Sequence, residues 1–256
     1  VGGPRSCISW IVCSDDMFLV VCLCLVYVRV CLLRGPLFFF LFFVLMIRRP
    51  PRSTLDRSSA ASDVYKRQGR ISHPSLLPEG AVPVAPSPIK PAGQTWTGTG
   101  MEKFVTPRAL DIAEIAGIVK DFRLATRWAL EAGFDSVELH ATSGYLPEQF
   151  LSSGSNQRVD EYGGSVANRT RFVLEVLAAM VAEAGGDRVG IKISPEMGFN
   201  DIVDAAPQET YTTLVEQLRE LKLAYLHVAL FGTSTDYHAL LRPRFDGAYL
   251  IGGGLG

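Results

Sequence analysis

His140, Ser143 and Tyr145 stand in the run His140-Ala-Thr-Ser-Gly-Tyr145, the stretch of this 256-residue chain that most plainly offers chemistry. A histidine with a second polar side chain three residues on can hold a carbonyl oxygen between two donors. That polarises a conjugated double bond by an oxyanion-type effect. A tyrosine two residues further can deliver a proton if its hydroxyl aims at the reacting carbon. Alone, the hexapeptide better suits a capping histidine and a half-buried loop tyrosine, because a short motif is only as good as its structural context. Lys192, in Arg188-Val-Gly-Ile-Lys-Ile-Ser194, is a second able group: an amine on a barrel strand can form a Schiff base, as in an aldolase or other lyase. His73, His227 and His238 have no supporting cluster, and no metal site is expected.

The elements that must position these residues alternate. A helix is expected from about Asp111 to Ala132, where Ile115, Ile118, Val119, Phe122 and Ala125 recur near the helical period and Gly133 follows. Phe134–His140 reads as a strand, Ala141–Gly164 as a polar loop, and Val166–Ala184 as a helix capped by Ser165. Arg188–Ser194 is the next strand. Pro207–Lys222 is a helix with proline at an early position, and Tyr225–Leu230 and Ala248–Ile251 are two further strands. Short continuous apolar strands alternating with helices imply a parallel sheet covered by helices. Four strands cannot close a (β/α)8 barrel, so the pattern predicts the middle and late part of a TIM barrel. Gly69–Thr99, rich in proline and glycine, reads as an extended loop.

Composition divides the chain. Residues 1–68 carry nine basic against four acidic side chains and all five cysteines, whereas residues 69–256 carry sixteen basic against twenty-two acidic. The net charge of -1 argues against a nucleic-acid partner. Met17–Ile47 is intensely apolar, yet Arg29, Arg34, Gly35 and Pro36 interrupt it before it reaches the roughly 20 residues of a membrane span. Met46-Ile-Arg-Arg-Pro-Pro-Arg-Ser-Thr54 resembles a translated flow-cell adapter of the kind used in DNA sequencing. Ser58–Gln68 resembles a translated transposase adapter in the same frame. Residues 1–68 are therefore expected to be a non-native segment, excluded from the fold. The fold is expected in residues 69–256, in the cytoplasm and with no genuine membrane partner. The contrary reading is a single-pass membrane protein carrying a degenerate barrel.

The flanks of the His140 run carry more information. Gln149-Phe-Leu151 leads to Ser155-Asn-Gln-Arg158, Asp160, Tyr162-Gly-Gly-Ser165, Asn168-Arg169 and Arg171. Gly69-Arg-Ile-Ser-His-Pro74, Val84-Ala-Pro-Ser87, Pro107-Arg-Ala-Leu110 and Ala132-Gly-Phe-Asp135 add to them. Over residues 69–256 the chain resembles the Old Yellow Enzyme family of FMN-dependent NAD(P)H oxidoreductases. The resemblance implies a (β/α)8 barrel, here without its first three strands and its last. It implies FMN as cofactor, NADPH or NADH as reductant, and a small enone or nitro compound as acceptor; oligomeric state is left open. His140 matches the family's donor to the acceptor's carbonyl, and Tyr145 its proton donor. Ser143 stands where the family usually has Asn or His. Lys192 stands where it commonly has Arg beside the flavin, keeping the charge but losing the planar fork. Gly253 and Gly254 match the start of the loop that meets the FMN phosphate. Arg158, Asp160, Arg169 and Arg171 are expected chiefly to form ion pairs that order the loop. A chain lacking half the barrel is expected to be an inactive fragment.

Overall fold

A parallel sheet of four strands, β5 (Val137–Ala141), β6 (Val189–Ile193), β7 (Tyr225–Ala229) and β8 (Ala248–Gly252), runs in sequence order through the molecule. The computed structural model describes residues 68–252. The apolar stretch 17–47, the adapter-like segments up to residue 67, and Gly253 and Gly254 lie outside those residues. Helices α1 (Ile112–Glu131), α2 (Leu146–Leu151), α3 (Val166–Ala184), α4 (Pro207–Leu218) and α5 (Tyr237–Leu241) connect and cover the sheet. Upstream, β1 (Val84–Ala85) pairs in parallel with β4 (Arg108–Ala109), and β2 (Gln94–Trp96) forms a hairpin with β3 (Met101–Lys103). Among the described residues no helix is long and apolar enough to cross a membrane.

Local chemistry explains the boundaries. Asp111 caps α1 by accepting from the Glu114 amide at 2.7 Å, while the Glu114 carboxylate accepts from the Asp111 amide at 3.0 Å, a reciprocal capping box. Ser165 caps α3 through the Asn168 amide at 3.2 Å. α4 stops at Leu218, earlier than the expected Lys222, because a short 3-10 turn (Arg219–Leu221) follows and Lys222 turns left-handed at φ 49°. The loop after β5 contains α2, which the sequence reading missed, and the connection from β7 to β8 contains α5. The expected loop over 69–99 holds three 3-10 turns, β1 and β2.

One face of the sheet is sealed by the helices. Leu139, Ile191, Leu226 and Val228 are no more than 1% exposed and share a core with Ile115 of α1, Phe172, Val173 and Leu177 of α3, and Leu214 of α4. Each such side chain contributes about 1.5–3 kcal/mol by leaving water. Phe150 of α2 stacks on Phe172 with ring centroids 4.2 Å apart, so the short helix is anchored to the long one. Phe172→Ala should destabilise the fold by about 3–5 kcal/mol, measured as a shift in urea midpoint at unchanged slope.

Candidate active site

Side chains alternate along a strand, so the residues between the core positions face the other way. The register pairs His140 with Lys192, Lys192 with His227, and His227 with Leu250, which places these four on one rung of the inner face. The rung before it carries Glu138, Gly190, Tyr225 and Ala248. Gly190 is required there: a Cβ would run into the ring of Tyr225, which lies across it. Through the gap, Glu138 reaches over β6 to His227, with Oε2 3.3 Å from Nδ1. Burial alone would raise the Glu138 carboxyl, but the His227 hydrogen bond, the Lys192 charge and a Tyr225 hydrogen bond hold it below the ordinary value. His140 is pushed down to about 4, first by burial and then by the charge of Lys192, against the pull of Glu138. Its ring is therefore neutral at physiological pH, able to donate one N–H without carrying charge. Burial also raises the Tyr145 phenol, which stays protonated.

The loop after β5 brings Tyr145 back to His140. Ser143 and Gly144 both take left-handed conformations, φ 59° and 76°, and turn the chain sharply into α2, whose N-cap is Tyr145. Gly144 has a second reason to be glycine, since a Cβ there would sit 2.5 Å from the Cβ of Asn200. The result is an edge-on pair, His140 and Tyr145, with centroids 5.2 Å apart and planes at 66°. The Ser143 carbonyl accepts from Asn200 Nδ2 at 2.7 Å. Its hydroxyl lies 3.3 Å from that of Thr142 and 3.9 Å from Met197 Sδ.

Three groups to which the sequence reading gave no role hold this loop. Glu148, on the first turn of α2, accepts from the Gly144 amide at 2.6 Å, from Ser194 Oγ at 3.2 Å and from Tyr211 OH at 3.2 Å. Gln149 donates to the Gly144 carbonyl at 2.6 Å and to the Gln68 carbonyl at 3.0 Å, and accepts from the Arg70 amide at 3.1 Å. Arg70, 1% exposed, donates to the Asp201 carbonyl at 2.6 Å. The available signal was Pro147, which marks a helix start and puts Glu148 and Gln149 on its first turns. Further along, Arg158 pairs with Asp160 at 2.5 Å and donates to the Leu110 carbonyl at 2.6 Å. Arg169 donates to the Leu151 and Gly164 carbonyls at 2.8 Å each and to Thr210 Oγ1 at 2.9 Å. Arg169 also pairs with Asp204 at 3.4 Å, whereas Arg171 donates to the Glu161 carbonyl at 2.8 Å and forms no ion pair among the described residues. His227 has gained a partner in Glu138, and His238 lies 3.1 Å from Tyr249 OH. Among the described residues no His, Cys, Asp and Glu group could hold a metal ion.

The model of the NADH:flavin oxidoreductase / NADH oxidase family matches residues 70–240. 12-Oxophytodienoate reductase 1 of Oryza sativa subsp. japonica is 40% identical over 195 residues, spanning 73% of this chain and 50% of the relative. 12-Oxophytodienoate reductase 2 of Arabidopsis thaliana is 39% identical over 196 residues, with 73% and 52% covered. Among solved structures, morphinone reductase in complex with tetrahydroNAD aligns with a TM-score of 0.70 at 41% identity over 74% of this chain and 54% of that one. An old yellow enzyme homologue from Zymomonas mobilis aligns at 0.69 and 29% identity, with 74% and 55% covered. The architecture is thus a partial (β/α)8 barrel, as expected. The chain spans about half the length of the curated relatives it matches.

Glu148 makes this site sensitive to pH. Burial lifts its carboxyl from the ordinary 4.5 to about 8, against the hydrogen bonds from Gly144, Ser194 and Tyr211. Between those values the folded chain holds a proton that the unfolded chain has released, so stability falls as pH rises through that window. The slope is at most roughly 1.4 kcal/mol per pH unit. Glu148→Gln keeps the shape and abolishes the titration. Its Tm relative to wild type should become steadily more favourable from pH 5 to pH 8, by differential scanning calorimetry.

Proposed function

Because the chain belongs to the NADH:flavin oxidoreductase / NADH oxidase family, we propose that it is the acceptor-side half of an FMN-dependent ene-reductase barrel, using NADH or NADPH to reduce an enone or nitro compound. The observation that carries this reading is the edge-on pair of a neutral His140 and a protonated Tyr145 at the end of β5. Active groups of such barrels sit at that end of the strands. The inner face also fits a flavin. A flavin ring gains negative charge along one edge on reduction, and Lys192, 8% exposed, stands on the same rung as His140. Lys192 would hold that edge, and Gly253 and Gly254, outside the described residues, are proposed for the phosphate. FMN held there would supply the hydride chemistry, with NADH or NADPH as its reductant.

The chain's own residues do the rest. His140 donates its N–H to the acceptor's carbonyl, with Ser143 as the second, shorter donor, and so draws electron density away from the alkene. Tyr145 gives its proton to the carbon next to the carbonyl. A Schiff base on Lys192 has the family match against it.

The test needs a complete barrel: a chimaera in which residues 69–252 replace the matching segment of morphinone reductase. Tyr145→Phe should leave flavin reduction by NADH within about twofold of wild type. It should slow flavin reoxidation by 2-cyclohexenone about 100- to 10,000-fold, because only that step needs the proton. Nitro acceptors should suffer less. Equal slowing of both half-reactions in stopped-flow would overturn Tyr145 as the donor. Ser143→Asn should bind cyclic enones more tightly, by a few-fold to about a hundred-fold. Asparagine is also more at ease than serine at φ 59°.

A further inference from the structure

We propose that Glu148 and Gln149 are positioning residues for Tyr145, gripping Gly144 by its backbone N–H and by its carbonyl so that the tyrosine ring is held edge-on to His140. This inference rests on the reading of Tyr145 as the proton donor.

The only joints between β5 and α2 that depart from ordinary backbone are Ser143 and Gly144, both left-handed. A rotation at either would swing Tyr145 relative to His140. The N–H and the carbonyl of Gly144, which belong to the peptide planes on either side of its Cα, are both held by side chains of the very next helix. Glu148 Oε2 takes the N–H and Gln149 Nε2 donates to the carbonyl, each at 2.6 Å. The backbone of Tyr145 is tied as well, its amide to the Thr142 carbonyl at 3.2 Å and its carbonyl to the Gln149 amide at 2.9 Å. The clamp is itself fixed from outside. Gln149 is braced by Arg70 and Gln68, and Glu148 by Ser194 and Tyr211.

Glu148 and Gln149 are 1% and 0% exposed. Burying an acid and an amide is costly where apolar side chains would pack as well, and such groups hold a geometry that apolar contacts leave loose. The two oxygens of Glu148 also divide the work. Oε1 accepts from Ser194 Oγ and Tyr211 OH, and Oε2 accepts from the Gly144 amide. A glutamine keeps a carbonyl oxygen for the Gly144 amide and turns its NH2 toward the two hydroxyls, whose oxygens can accept, whereas alanine abolishes all three contacts.

The experiment uses the same full-length chimaera, loaded with FMN, with NADH and 2-cyclohexenone. Glu148→Ala and Gln149→Met should each slow flavin reoxidation about 10- to 100-fold and leave flavin reduction and FMN content unchanged. In Glu148→Ala, amide hydrogen exchange of the peptide spanning 140–151 should rise at least tenfold. Glu148→Gln should restore both readouts. On a Tyr145→Phe background neither clamp substitution should cost anything further, since a positioning residue has nothing left to position. Additive losses on that background, equal slowing of both half-reactions, or failure of Glu148→Gln to restore exchange would overturn the clamp while leaving Tyr145→Phe to judge the proton donor separately. Should Gln149→Met lose FMN, Gln149→Glu replaces it in the cycle, because it keeps the acceptor for the Arg70 amide and removes the Nε2 donor to the Gly144 and Gln68 carbonyls.

Discussion

The parallel register of β5, β6 and β7 is the constraint from which the rest follows. It sets His140 opposite Lys192 and Lys192 opposite His227, and sends Leu139, Ile191 and Leu226 the other way, into the helices. A slip of one residue would exchange the faces, burying a lysine and two histidines among leucines and exposing the core. The apolar face thus enforces the polar one. Lining up charged groups on the inner face has its own cost, several kcal/mol for each ion withdrawn from water without partners. Glu138 meets that cost by reaching His227 across Gly190, and its negative charge balances Lys192 on the next rung.

These neighbours also divide the protonation states. Glu138 is held below the ordinary carboxylate value, whereas Glu148, ten residues on, is lifted to about 8. The difference is one of surroundings: Glu138 shares its face with Lys192 and the His227 ring, whereas Glu148 meets, among the described residues, a backbone amide and two hydroxyls. His140 is driven neutral first by burial and then by the same lysine that stabilises Glu138. Environments that push like groups apart in this way mark sites where proton donors and acceptors need distinct roles.

Past the strand ends the structure relies on polar contacts more than on packing. Ser143, Glu196, Asn200 and Asp201 all adopt positive φ, at 59°, 58°, 57° and 61°, in the two loops that follow β5 and β6. Each such residue stores about 1 kcal/mol or more of backbone strain. Asn200 to the Ser143 carbonyl and Arg70 to the Asp201 carbonyl hold those turns in place, and Gln149 links Arg70 to Gly144. Strain concentrated beside His140 and Tyr145, and fixed by buried hydrogen bonds, gives the loop a single shape.

Periodicity and punctuation in the chain were enough to find three helices and four strands, because apolar recurrence, Ser165, Gly133 and Pro207 act locally. They also placed His140, Ser143 and Tyr145 at the end of a strand, since that placement depends only on where the apolar run stops. Neighbouring motifs, from Gln149 to Arg171, carried the family resemblance. What residue order could not supply was pairing across the sheet. His227 looked isolated because its partner, Glu138, is 89 residues away and meets it only when β6 presents a glycine between them. Arg70 and Asn200 read as loop residues until a contact 130 residues apart joined them. α2 escaped because six residues are too few for a helical period to show, and it is held by Phe172 and by buried polar bonds rather than by its own propensity. Types and spacing along the chain therefore determined which residues are candidates for chemistry. The tertiary structure decided which of them meet and in what protonation state, because burial and long-range charge exist only once distant segments are brought together.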